Sequence, residues 1–293
     1  MTFDIILTYY DNPLLLNSWL YRLFHGSDYL KFAHKGNIII SDTGTPLNRI
    51  DETLKILTKY KSIKEVIYFR AETDEIRAKV PEGIDSRPAS HSYNLGVFEV
   101  SKAELILVSV VGQVYTPKYF EKVLIEHIKD DKAVVLPKRM DLICEDYHEL
   151  WFDKSFSELM QFPIQGGGGW PDVSVKRKWL IEVGGWDENY ITIAPIDMDL
   201  GSRLTGKLDN GMDSQILFPN KGYYENLGLH FKQPFDINEV MSLTCNTYKK
   251  HIPVGDPRRQ RGLDLGEKYY LENWSKIKRN ENRIPIKFSF YTY

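Results

Sequence analysis

Asp4-Ile5-Ile6-Leu7-Thr8 and Asn37-Ile38-Ile39-Ile40-Ser41 are short β-branched runs, and the chain between them carries Leu14, Leu15, Trp19, Leu20 and Leu23 behind Pro13. Runs of that length read as strands, the leucine and tryptophan spacing reads as the core-facing stripe of a helix, and proline suits a first helical turn. Strand, helix, strand is the unit that builds a parallel sheet. The alternation continues as a helix over 51–60, a strand over 65–69, a helix over 92–102, a strand over 104–111, a helix over 117–127 and a strand over 133–136. No polar residue interrupts Leu105-Ile106-Leu107-Val108, as expected of a strand covered on both faces at the centre of a sheet. The expected fold is α/β and Rossmann-like, with a central, mostly parallel sheet flanked by helices. Beyond residue 136 the pattern loosens into a helix near 176–183, a turn at Gly184-Gly185, a helix near 198–205 and a polar, aromatic tail.

With 293 residues, 42% of them hydrophobic, the chain can bury one large core. A net charge of −2 lacks the basic footprint that duplex nucleic acid demands, so no nucleic-acid partner is expected. Cys144 and Cys245 match no metal-ligand spacing. No stretch approaches the roughly 20 apolar residues of a membrane span, and the first residues show no leader pattern, so a cytoplasmic protein is expected.

In open α/β sheets ligands sit outside the carboxyl ends of the strands. Those ends read Thr8-Tyr9-Tyr10-Asp11, Ser41-Asp42-Thr43-Gly44, Arg70-Ala71-Glu72 and Ser109-Val110-Val111-Gly112-Gln113. A ring can stack on a base, a carboxylate can accept from its N–H, and small residues let a diphosphate approach. The chemistry fits a nucleotide.

Two of these strand ends, and a segment further along, carry a resemblance. Ile5-Ile6-Leu7-Thr8-Tyr9 resembles the opening strand of glycosyltransferase family 2, Ser41-Asp42-Thr43-Gly44-Thr45 its Asp-Asp-Gly-Ser turn, and Tyr93-Asn94-Leu95-Gly96 its Ala-Arg-Asn-x-Gly segment. Gly167-Gly168-Gly169, then Val173 to Arg177, then Glu182-Val183-Gly184-Gly185-Trp186-Asp187-Glu188 is similar to the family's acceptor-side segment. Ile196-Asp197-Met198-Asp199-Leu200-Gly201-Ser202-Arg203-Leu204 resembles its Glu-Asp-x-Asp-Leu-x-x-Arg-Leu. The resemblance spans roughly residues 3–232 and implies a GT-A fold. It also implies a nucleotide-sugar donor, most simply a UDP-sugar, and an inverting, non-processive transfer to a glycan or other acceptor hydroxyl. Thr8, Tyr9, Tyr10, Asp42, Arg87, Asn94, Gly112 and Gln113 would hold the donor, with residues 1–117 as the donor half and 118–240 as the acceptor half. Asp197 would be the general base, with Asp199 facing the site or capping the helix; helix-start acids favoured by the dipole are the plainer alternative.

The sequence departs from the family where a metal-binding Asp-x-Asp would follow the fourth strand, because Val110-Val111-Gly112 stands there; Ile196 and Tyr93 replace the family's Glu and Arg. A divalent cation, Mn or Mg, is therefore in question, and the resemblance implies that His230, which falls where many GT-A enzymes place a late histidine, binds a metal or a phosphate, the plainer alternative being a core residue. Arg87, His91, Lys176, Arg177, Lys249, Lys250, Arg258, Arg259 and Arg261 could offset diphosphate charge or simply face solvent. Gly167, Gly168 and Gly169 suit close backbone approach to a sugar or a flexible loop, and Trp170 and Trp186 suit either a pyranose platform or the core. Residues 241–293 form an extension open to use as a lid or a homodimer contact. A catalytically inactive nucleotide- or glycan-binding module of the same fold is the competing reading.

Overall fold

The structure is a computed structural model that describes residues 1–84, 88–142, 154–162, 164–166, 172–192, 196–206, 225–232, 241–245, 257–273 and 285–293. Eight strands form the main sheet in the order β10-β6-β9-β4-β1-β2-β3-β12. They are β1 (Phe3–Tyr9), β2 (Gly36–Asp42), β3 (Val66–Ala71), β4 (Leu105–Val110), β6 (Ala133–Val135), β9 (Ser174–Lys176), β10 (His230–Lys232) and β12 (Phe288–Phe290). The β4-β1-β2-β3 block is parallel throughout, as the strand–helix alternation predicts, while β9 and β12 run antiparallel to their neighbours. A small second sheet, β5-β11-β7-β8, joins β5 (Gln113–Tyr115), β7 (Lys138–Leu142), β8 (Ile164–Gly166) and β11 (Met241–Cys245).

The pleat sorts the central strands between two cores. Ile5, Leu7, Leu105 and Leu107 face the Pro13–His25 helix through Leu16, Trp19, Leu20 and Leu23. Ile6, Ile39, Ile106 and Val108 face the opposite layer, where Tyr93, Val97, Leu180, Trp186, Leu200 and Leu204 are buried. Covering both faces is why these runs contain no polar alternation. Each such side chain contributes about 1.5–3 kcal/mol on burial.

Local sequence sets the element boundaries. Asn12 Oδ1 accepts from Leu15 N at 3.1 Å and starts the Pro13–His25 helix. The helix predicted over 92–102 instead begins after Pro88, runs Ala89–Asn94 and widens into a π-helical turn over Leu95–Val100. Gly96 explains the tight approach of this segment to the sheet: a Cβ there would lie 2.7 Å from Ile6 Cγ2. Lys176, expected at the start of a helix, is the last residue of β9 and pairs with Leu105, so the helix is Arg177–Glu182.

Of residues 241–293, read from sequence as an extension, the described parts pair with the two sheets and pack on them. β11 pairs with β5 and β7, and β12 closes the edge of the main sheet beside β3. Between them the Pro257–Asn273 helix docks through Thr192 Oγ1 to Gly262 O (3.0 Å), Arg261 Nη2 to Gly83 O (2.6 Å) and Tyr269 OH to Asp187 Oδ2 (2.9 Å).

Candidate functional site

The carboxyl ends of β1, β2 and β3 are laced into one platform. Thr43 N donates to Tyr9 O at 2.9 Å, and Asp11 N donates to Thr45 Oγ1 at 2.8 Å. Asp11 has φ 40°, the left-handed region that aspartate tolerates better than most residues, and Arg49 pairs with its carboxylate at 2.8 Å. Asp42 is fully buried: Oδ1 accepts from Gly44 N (3.0 Å), Thr45 N (2.9 Å) and Thr45 Oγ1 (2.9 Å), and Oδ2 accepts from Tyr68 OH (2.5 Å). Gly44, at φ 100°, leaves room for Thr73 Oγ1, which would lie 2.5 Å from an added Cβ.

Tyr9 and Tyr10 therefore part company. Tyr9, expected at the donor, points into the helix-side core, where its hydroxyl bonds Thr53 Oγ1 at 2.7 Å. Burial pushes that phenol's pKa up. Tyr10, 44% exposed, is the outward ring just past the end of β1, and the Arg77 guanidinium lies 4.5 Å from its centroid. Arg77 is aimed there by bonds to Thr73 Oγ1 (3.1 Å) and Thr43 O (2.8 Å). Neither Arg77 nor Thr73 was singled out from sequence; the signal was their four-residue spacing just past the end of β3.

A second group of residues lies beside β1. Thr8 Oγ1 donates to Tyr93 OH at 3.2 Å, and the Tyr93 ring stacks on Trp186 with centroids 4.8 Å apart. Burial, and after it the negative charges of Asp197 and Asp172, hold the Tyr93 phenol above its ordinary value, against the bond to Thr8 that lowers it. Asp197 is partly exposed in the first turn of the Ile196–Thr205 helix. Asp199, on the same turn, is buried and paired with Arg203 at 2.6 Å. Arg203 Nη1 in turn donates to Val183 O (2.8 Å) and Gly185 O (2.7 Å).

Asn94 and Trp186, expected at the donor and at a sugar face, are fully buried. Asn94 Oδ1 accepts from Trp186 N at 2.9 Å, and Nδ2 donates to Trp186 O and Glu188 Oε1, both at 2.8 Å. They lock the Gly184–Glu188 turn to the Ala89–Asn94 helix and present no face to a ligand. Gln113 is also buried, and Gly112, at φ 100°, turns β4 into β5. Arg87, Gly167, Gly168, Gly169 and Trp170 lie outside the described residues, as do Lys249 and Lys250. Arg177 Nε is spent on Val97 O (2.8 Å) and Lys176 on Asp131 (2.7 Å).

The expected metal role of His230 is corrected by topology. His230 opens β10 opposite Ala133, at the amino end of the parallel strands and on the outer edge of the sheet, where it pairs with Asp130 at 2.8 Å. At the end of β4 the Ser109 hydroxyl is bonded to Tyr115 OH, and Val110, Val111 and Gly112 bring no ligand. Among the described residues no three His, Cys, Asp or Glu side chains gather into one group.

No protein-family model matches the chain, and no curated protein matches it in sequence. Among solved structures it is similar to GalNAc-T7 with UDP, GalNAc and Mn2+, at a TM-score of 0.55 and 10% identity over 93% of this chain and 49% of that one. Weaker likenesses are to the mannosyltransferase PcManGT from Pyrobaculum calidifontis with GDP-Man and Mn2+ (0.47, 11% identity, 85% of this chain and 58% of that one) and to S. aureus TarS (0.44, 14%, 68% and 32%). The chain spans between a third and three-fifths of the length of these proteins. With its parallel β4-β1-β2-β3 block and the match to GalNAc-T7, the chain has the Rossmann-like α/β fold of the GT-A type.

Proposed function

We propose that this chain is a glycosyltransferase that moves one sugar from a nucleotide-diphosphate donor, with UDP as the first choice, to an acceptor hydroxyl. The reading is supported by the exposed Tyr10 ring with the Arg77 guanidinium over it just past the end of β1, and by a partly exposed Asp197 whose charge acts on Tyr93, the residue bonded to Thr8. In this reading the base stacks at Tyr10, and Arg77 sets its edge. Asp42 acts by holding the turn, since its carboxylate is already saturated. Asp197 takes the proton of the acceptor hydroxyl as that oxygen attacks the anomeric carbon; the bond to the diphosphate oxygen breaks, and the nucleotide leaves with inversion. Residues 1–117 would serve the donor and 118–240 the acceptor.

General-base assistance of this kind is worth about 10² to 10⁴ in rate. The test is nucleotide release from UDP-sugars: Asp197→Asn is expected to lose turnover by that factor while binding UDP as the parent does, and equal turnover would remove Asp197 from the role. A second reading, binding without transfer, is favoured by the carboxylate-free end of β4. It would be recognised by UDP binding with no release from any sugar nucleotide tried.

A further inference from the structure

At the amino ends of β1 and β2, opposite the strand ends just described, lies a cavity of about 290 Å³ with His34, Lys35, Lys64 and Lys102 around it. Its one lining carboxylate offsets at most one of the three lysines. Asp4 is buried, with Oδ1 accepting from Asn37 N (2.9 Å) and Nδ2 (3.1 Å) and Oδ2 accepting from Ser101 Oγ (2.6 Å). Glu104, the next acid along the rim, accepts from Thr2 N (2.8 Å) and lies 3.7 Å from the N-terminal amine. Lys64 gives one proton to Ala33 O at 2.9 Å and keeps two. Lys35 and Lys102 are exposed and enter no ion pair among the described residues.

Cations converging on a concave surface raise the local concentration of anions, and lysine ammonium groups are point-charge partners for phosphate. The volume is at the small end of ligand sites, which suits one or two phosphate groups and not a folded partner. We propose that this cavity is a second binding site, for a phosphate-bearing anion, roughly 20 Å along the strands from the proposed nucleotide site.

The test uses the full chain and two probes: pyrophosphate by calorimetry, and sedimentation with vesicles of four parts phosphatidylcholine to one of phosphatidic acid. Lys35→Ala combined with Lys102→Ala is expected to weaken at least one probe tenfold or more, whereas Lys268→Ala, an exposed lysine on the Pro257–Asn273 helix, leaves that binding unchanged. Loss confined to pyrophosphate identifies a soluble phosphate ligand, and loss on vesicles identifies a lipid headgroup. Lys102→Gln alone, at an exposed position, is expected to give a partial loss and keeps the test decisive should the double variant be unstable. Binding of neither probe by the parent chain, or equal binding by parent and variants, overturns the proposal.

Discussion

Asp197 and Asp199 sit two positions apart on one helical turn, yet the fold gives them different work. Asp199 is sealed against Arg203, which also holds two carbonyls of the Val183–Gly185 turn. Breaking a buried pair by removing one partner costs about 3–5 kcal/mol. Asp199→Ala is therefore expected to lower the unfolding free energy, read from denaturant melts, by that amount, whereas Asp197→Asn is expected to change turnover with a smaller effect on stability than Asp199→Ala. The motif itself was legible in the sequence, because Asp and Arg four apart face one another on a helix. Which acid is sealed and which is open was not, since that depends on the carbonyls Arg203 meets in a distant turn. The same limit applies at β1, where Tyr9 and Tyr10 are chemically alike and the pleat alone sends one inward. Tyr10→Ala and Arg77→Ala are each expected to weaken nucleotide binding about tenfold, the scale of a stacking or cation–π contact, read by calorimetry.

At the scale of elements, the Asn94 side chain joins two segments nearly a hundred residues apart. Its three hydrogen bonds to Trp186 and Glu188 fit only because Gly185, at φ 70°, has no Cβ; one placed there would lie 2.2 Å from Asn94 Oδ1. Gly185→Ala is expected to cost about 2 kcal/mol or more through backbone strain and this overlap. Combined with Asn94→Ala in a double-mutant cycle it should be clearly sub-additive, because the overlap disappears with the asparagine; additive midpoints in urea would separate the two residues. The central strands and their helices could be read from apolar runs and caps, which are local signals. The π-helical turn over Leu95–Val100 could not, because it arises where Gly96 lets that segment close on Ile6. β12 was equally hidden: three residues of edge strand are defined by pairing with β3, more than two hundred positions away.

For the whole molecule, the seam between β6 and β9 carries an acid-sensitive group. His127 is buried with Nε2 on Ser174 Oγ at 2.9 Å, and burial first, then the charge of Lys176, lowers its pKa from 6.5 to about 4. The unfolded chain binds the proton more readily, so stability is complete above pH 6.5 and is lost as pH falls toward 4, by about 3 kcal/mol from this residue. A His127→Gln variant should show a flatter fall in melting temperature across that interval, and an unchanged slope would relieve His127 of the role. No described helix is long and apolar enough to cross a membrane. The two ends of the sheet differ in kind: the carboxyl end presents Tyr10 and Arg77, and the amino end presents lysines. That division leads to the decisive experiment, calorimetric titration of UDP and GDP, with Mn2+ and again with chelator, into the parent chain, Tyr10→Ala and Asp197→Asn. Saturable binding of at least one nucleotide by the parent and by Asp197→Asn, weakened about tenfold in Tyr10→Ala, is the expected result; no binding of either nucleotide, or binding indifferent to Tyr10, would contradict a donor site at the carboxyl ends of these strands.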